Sequence, residues 1–212
     1  MTGVQTCALP ILPGPALASP SSALQTYKAG RFADAQKEFE RLAEQDKQGD
    51  PRLHFNAGAA AYRGTNYDAA ITHFTSVLAG RDVKLQQAAY FNLGNTHYRQ
   101  GEAAKDLDAL QELWETAIKD YQNAVTLDKE DPDAAFNLEF VKQSVEQIKQ
   151  LRLAAMRAKA AADEATRRRE YHQALEIMEG LVQKNPAAKQ FQEFVKKLKD
   201  IDDIATPPPT QP

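Results

Sequence analysis

Cysteine is almost missing from the chain. Cys7 is the only one in 212 residues, so no intrachain disulfide can staple the fold. Long apolar runs are missing too: no stretch of 18 or more uninterrupted apolar residues occurs, which leaves no membrane span in the chain as it stands. The charge balance is close to even, with a formal net charge of −3, and gives no electrostatic reason to expect nucleic acid as a partner. There is no glycine-rich phosphate loop, no nucleophile elbow and no zincin signature. The four histidines, His54, His73, His97 and His172, fall at different repeat positions with no ligand at metal spacing. No catalytic residue, metal or cofactor is therefore expected, and no enzymatic activity. Glycine and proline both vanish between Asp133 and Glu179, so that stretch is expected to be one long helix or two nearly continuous ones.

What is present is repetition. Phe55-Asn56-Ala57-Gly58 returns as Phe91-Asn92-Leu93-Gly94, 36 residues on, and as Phe136-Asn137-Leu138-Glu139, 45 residues further. An Ala with an aromatic or Met four residues later recurs as Ala35/Phe39, Ala70/Phe74, Ala117/Tyr121 and Ala174/Met178. A period near 34 residues marks helix-turn-helix units, each too small to close a core alone, that must stack on their neighbours. Helices are expected from Ser21-Ser22, as cap, to Ala29; over Phe32–Gln45; over Pro51–Arg63 and Tyr67–Leu78; and from Val83 to Gly101. About eleven extra residues between Gly101 and Ala117 add roughly three helical turns. Leu107, Leu110, Leu113 and Trp114 give these turns an apolar stripe, and the unit closes at Leu127. In the long helix Ile148, Leu151, Ala155, Ala158, Ala162 and Ala165 follow a heptad spacing. Tyr171–Gln183 is a last amphipathic helix, and Ala187–Ile204 a helix that caps the array.

The two ends read differently. Thr2–Ile11 resembles, ten residues in a row, the translation of a common short-read sequencing adapter, and is set aside as foreign. Without it, no cysteine remains. Ala16-Leu17-Ala18 fits the small-x-small cleavage rule of a secretory signal; the alternative is a Pro/Ala-rich linker. The chain thus divides into 1–20, adapter segment plus signal remnant or linker; 21–188, about four repeat units; 189–204, a capping helix; and 205–212, a proline-rich tail expected to be extended and disordered.

Units two and three resemble tetratricopeptide (TPR) repeats. The resemblance is carried by Ala57-Gly58, Ala61, Tyr67, Ala70, Phe74 and Val77, and then by Leu93-Gly94, His97, Ala117, Tyr121 and Ala124. The flanking units match in their second helices (Phe32, Ala35, Phe39; Tyr171, Ala174, Met178, Leu181, Pro186). The resemblance implies an all-α, right-handed α-α superhelix with a long helix and a C-terminal capping helix, and Gly58 and Gly94 as points where paired helices touch backbone to backbone. It further implies a concave groove lined by the first helix of each unit. Carried over residue by residue, the groove positions are Phe55, Asn56, Ala59, Tyr62 and Arg63, then Phe91, Asn92, Asn95, Tyr98 and Arg99, with Phe136 and Asn137 from the fourth unit.

Two readings of these residues stand. Asn56, Asn92 and Asn137 form a ladder that pairs with the backbone of an extended peptide, or they bridge helices and only hold the stack together. Arg63 and Arg99 take a partner carboxylate, or they are cations favoured at a helix C-terminus. The lysines of a chaperone-tail carboxylate clamp are lacking. Trp114 is core of the added turns or an interface anchor. Arg167-Arg168-Arg169 is a contact for a phosphate or an acidic partner, or a solvated helix end.

The phrase from Ala89 to Gly101, followed by Asp133–Glu139, is similar to the TPR proteins of bacterial aerotolerance (Bat) operons. Those proteins are exported or membrane-anchored companions of von Willebrand factor A proteins. The resemblance implies a non-catalytic adaptor in an exported bacterial assembly, periplasmic or envelope-associated. Its implied partner is a protein segment, with a von Willebrand factor A-type membrane protein as the candidate source. The alternatives are a cytoplasmic regulatory TPR domain detached from a larger enzyme or sensor, and a self-assembling structural solenoid.

Overall fold

A computed structural model describes residues 20–205. The adapter-like segment, Ala16-Leu17-Ala18 and the tail from Thr206 onward lie outside the described residues. Within them the chain is helical, without strands, and forms two compact units, one ending at Gln143 and one beginning at Ser144.

The first unit holds α1 (Pro20–Lys28), α2 (Phe32–Gln45), α3 (Pro51–Arg63), α4 (Tyr67–Val77), α5 (Val83–Glu102) and α6 (Leu107–Leu127). It also holds the first residues of α7 (Pro132–Arg167). Each of α1 to α5 packs on the next, so each hairpin lends its apolar face to its neighbour. Ala35, Phe39, Phe55, Ala57, Ala59, Ala60, Ala61, Ala70, Phe74 and Val77 have no exposed surface. The alanines let helices approach, and the rings fill the spaces between them. The added residues of the third hairpin make α6 one continuous helix of 21 residues. The long glycine-free stretch holds two helices: the 36-residue α7, which stops at Arg167, and the start of the next helix at Tyr171.

Starts and stops follow short-range chemistry. Asp50, Asp82 and Asp106 side chains accept amides in the first turns of α3, α5 and α6, satisfying donors that have no partner within the helix. Ser21 and Ser22 do not cap α1, because the helix already begins at Pro20. Ser22 Oγ instead donates to Glu38 Oε2 at 3.0 Å, tying α1 to α2.

The turns between paired helices repeat. Gly30, Thr65 and Arg169 have φ of +77°, +60° and +62°. The residue after each donates its amide five residues back: Arg31 to Thr26, Asn66 to Ala61, Glu170 to Ala165. This is the Schellman arrangement, and an aromatic residue opens the next helix each time: Phe32, Tyr67, Tyr171.

The second unit contains the rest of α7, α8 (Tyr171–Lys184), a 3-10 segment (Pro186–Phe191) and α9 (Gln192–Ala205). Ala162, Ala165, Ala174, Leu175, Met178 and Leu198 form its core. The expected capping helix starts later than the sequence suggests. Pro186 and the Asn185 side chain, which accepts from Ala187 N, start this stretch as a 3-10 segment of six residues.

Candidate functional site

All the predicted groove residues lie in the first unit, on α3, α5 and the start of α7, and the structure sorts them into two groups. The larger group is buried. Phe55 is fully enclosed and meets Phe74 edge-on, with centroids 5.5 Å apart. Phe91 meets Tyr121 in the same way at 6.1 Å. Asn56, Asn92, Asn95 and Asn137 are at most 1% exposed. Asn92 Nδ2 donates to Ala88 O at 2.8 Å, within its own helix. Asn95 Oδ1 accepts from the Tyr121 hydroxyl at 2.7 Å and from Asn137 Nδ2 at 3.2 Å, so one amide joins α5, α6 and α7. Asn137 and Asn95 bridge two helices, whereas the Asn92 bond stays within α5. Burial favours such pairing, because an amide removed from water is costly unless bonded inside the protein; Asn95 Nδ2 has no such partner.

The glycines also act otherwise than the sequence suggests. A methyl at Gly58 would meet the Phe74 ring at 2.9 Å, and one at Gly94 the Tyr121 ring at 2.6 Å. The close approach is of ring to backbone, not of backbone to backbone. The same device recurs at Gly101, where the Trp114 indole lies on the glycine.

The smaller group reaches solvent. Arg63 is exposed, and its guanidinium stands 5.0 Å from the centre of the Phe32 ring, a cation–π contact to the preceding hairpin. Arg99 is partly exposed and its Nη1 donates to Glu102 Oε2 at 2.7 Å. Burial works against the Arg99 charge, but hydrogen bonds to Tyr62 and Glu102 more than offset it and hold the guanidinium firmly protonated. Tyr98, next to it, is buried between two rings: Trp114, stacked at 5.1 Å, and Phe140, edge-on at 6.1 Å. Trp114 Nε1 donates to Tyr98 O at 3.1 Å. Phe140 stacks in turn on Phe136, which is 45% exposed. Arg99, Glu102, Trp114, Phe140 and Phe136 thus form a half-open face, part charged and part aromatic, across α5, α6 and α7.

Glu102 was not singled out by repeat position; its spacing of three from Arg99 on one helix was the available signal. The histidine contacts were also missed. His54 meets His73, His97 Nδ1 lies 2.7 Å from Asp120 Oδ2, and His172 Nδ1 lies 2.9 Å from Asp202 Oδ2. Among the described residues no group of three or more His, Cys, Asp or Glu is placed to hold a metal ion. No described helix is long and apolar enough to cross a membrane. In the second unit Arg167 and Arg168 both pair with Glu164, so two of the three arginines are already partnered.

Comparison with known proteins agrees with the repeat arrangement. The family model described as tetratricopeptide repeat matches residues 23–82 and again residues 60–116. Residues 23–116 are thus similar to tetratricopeptide repeats. Among solved structures, a thermophilic TPR protein of Thermus thermophilus superposes with a TM-score of 0.51 at 14% identity, covering 86% of this chain and 96% of its own. That likeness shows the fold, and the all-α TPR architecture expected from the sequence is the one found. No curated protein matches the sequence. TPR repeats serve protein–protein interaction, and the half-open face lies partly within and partly just beyond the matched residues.

Proposed function

We propose that this chain is a non-catalytic adaptor that binds a protein segment through the face built by Arg99, Glu102, Trp114, Phe140 and Phe136. The observation that carries this reading is the contrast within the predicted groove: the asparagines are enclosed, whereas Arg99 and Phe136 keep solvent-facing surface. A partly exposed guanidinium takes a carboxylate or a backbone carbonyl, and exposed ring area supplies desolvation. Tyr62 borders this face from the neighbouring hairpin through its hydrogen bond with Arg99.

Two finer readings belong to the proposal. Export to the periplasm or cell envelope rests on Ala16-Leu17-Ala18. A von Willebrand factor A-type membrane partner rests on the Ala89–Gly101 phrase and the Asp133–Glu139 segment that follows it. Fractionation of cells carrying the whole gene tests the first; co-purification with such a protein tests the second.

The general reading is tested by panning a random peptide library on the full chain. The proposal expects enriched peptides whose affinity falls at least about tenfold in Arg99→Ala or Phe136→Ala, a loss on the order of 1.4 kcal/mol. Peptides that bind both variants as well as the parent chain would refute it.

A further inference from the structure

Three helices of the first unit meet at a chain of ionisable groups that the binding face does not use. His54 on α3 and His73 on α4 have rings stacked with centroids 5.5 Å apart. Their Nδ1 atoms face each other at 3.3 Å. On the far side of His73, Nε2 lies 2.9 Å from Glu40 Oε1 on α2. The same oxygen accepts from Gln36 Nε2 at 2.7 Å. His73 is largely buried, with 13% of its side chain exposed.

The protons follow from the donor and acceptor inventory. A carboxylate only accepts, so His73 Nε2 carries a hydrogen toward Glu40. A neutral His73 then has a lone pair on Nδ1, and His54 Nδ1–H donates into it. Adding one proton to the pair leaves one hydrogen in the gap between the two Nδ1 atoms. Adding a second places two N–H groups head to head at 3.3 Å and two cations in stacked rings. Turning the His73 ring to relieve that clash would break its contact with Glu40.

We infer that Glu40, His73 and His54 form a proton-operated latch across α2, α4 and α3, closed while the imidazole pair carries at most one positive charge and opened when both rings are charged. The charge that acts on His54 is that of His73. On α2, Lys37 acts on Glu40. At the start of α3, Asp50 and Arg52 are paired with each other at 2.6 Å, and Asp82 before α5 acts on Arg52. On α4 the group facing His54 is His73 itself. Burial, and after it the neighbouring His73, holds His54 below the ordinary histidine range. Burial pushes Glu40 up, but the Gln36 and His73 hydrogen bonds more than offset it and keep the carboxylate ionised.

The consequence is an acid-sensitive seam between the first and second hairpins. His54 is held below its unfolded value, so the stability it contributes is present above about pH 6.5 and is lost as the pH falls through the folded value.

The test is a nitrogen-resolved NMR titration of the imidazoles in the full chain from about pH 8 to about pH 5, a window that brackets the ordinary histidine midpoint. EDTA is present so that protons and not metal ions are read. The expected result is uptake of one proton by the pair, with the second entering only as the α2–α4 amides lose hydrogen-exchange protection. Two independent uptakes, each near the ordinary histidine midpoint with protection unchanged, would overturn the latch. Urea unfolding supplies a second readout. The parent chain should lose folding equilibrium constant more steeply on acidification than His54→Gln, the difference approaching about tenfold per pH unit. Equal losses in both chains would overturn the inference even if the variant folds less well.

Discussion

Gly94 lies directly beneath the ring of Tyr121: a methyl group at Gly94 would stand 2.6 Å from Tyr121 Cε1 and 2.7 Å from Cδ1. Tyr121 is fully buried and its hydroxyl is fixed by Asn95, so the ring cannot retreat without losing that bond. Gly94→Ala should therefore cost about 1–3 kcal/mol through overpacking. Gly180, inside α8, has nothing within 4 Å of the same position. Gly180→Ala should instead stabilise, by about 0.5–1 kcal/mol, since Ala is the better helix former. Urea unfolding of the two variants checks both signs at once.

The repeated left-handed turn makes a second prediction. Gly30 adopts φ +77° freely, whereas Thr65 at +60° and Arg169 at +62° carry side chains there. A β-branched residue is the least suited to that region. Thr65→Gly should raise stability by up to about 1 kcal/mol, and Gly30→Ala should lower it by about 1–2 kcal/mol. Thermal midpoints of both variants, moving in opposite directions, are the expected result.

Buried phenols set the behaviour in alkali. Burial first, then the charge of Glu102 and a hydrogen bond with it, push Tyr98 up to about 12. Burial, with lesser effects from Tyr62 and Tyr98, pushes Tyr121 well above the usual tyrosine range. A phenol whose folded value lies above its unfolded one contributes stability fully present below about pH 10 and lost as the pH rises toward the folded value. An ultraviolet titration should show Tyr98 and Tyr121 ionising last and together with unfolding. Tyr98→Phe should remove part of the alkaline loss. A titration in which all seven tyrosines ionise together near about pH 10, well below unfolding, would contradict this.

The fold was legible where it rests on spacing. Ala35/Phe39, Ala70/Phe74, Ala117/Tyr121 and Ala174/Met178 mark second helices because a small residue and a filler one turn apart meet the partner helix in every unit. The extra residues before Ala117 were legible as helix because Leu107, Leu110, Leu113 and Trp114 keep the helical period. The candidate site was less legible. A repeat position says which face of a helix a residue occupies, but not what the next unit sets against it. Asn95 is enclosed because Tyr121 and Asn137 converge on it from 26 and 42 residues away. His54 and His73, 19 residues apart on separate helices, meet only once the hairpin closes.

Burial divides the predicted groove residues into those enclosed in the stack and those that reach solvent, and one paired measurement tests whether the second group binds a partner. Asn92→Ala and Arg99→Ala should be compared for urea stability and for binding of the peptides selected on the parent chain. Asn92, fully buried and bonded to Ala88 O, should lose about 1–2 kcal/mol of stability with binding unchanged once the folded fraction is allowed for. Arg99, partly exposed and paired near the surface with Glu102, should change stability by less than about 1 kcal/mol and lose binding at least about tenfold. The reverse pattern, binding lost through Asn92 and stability through Arg99, would contradict the account.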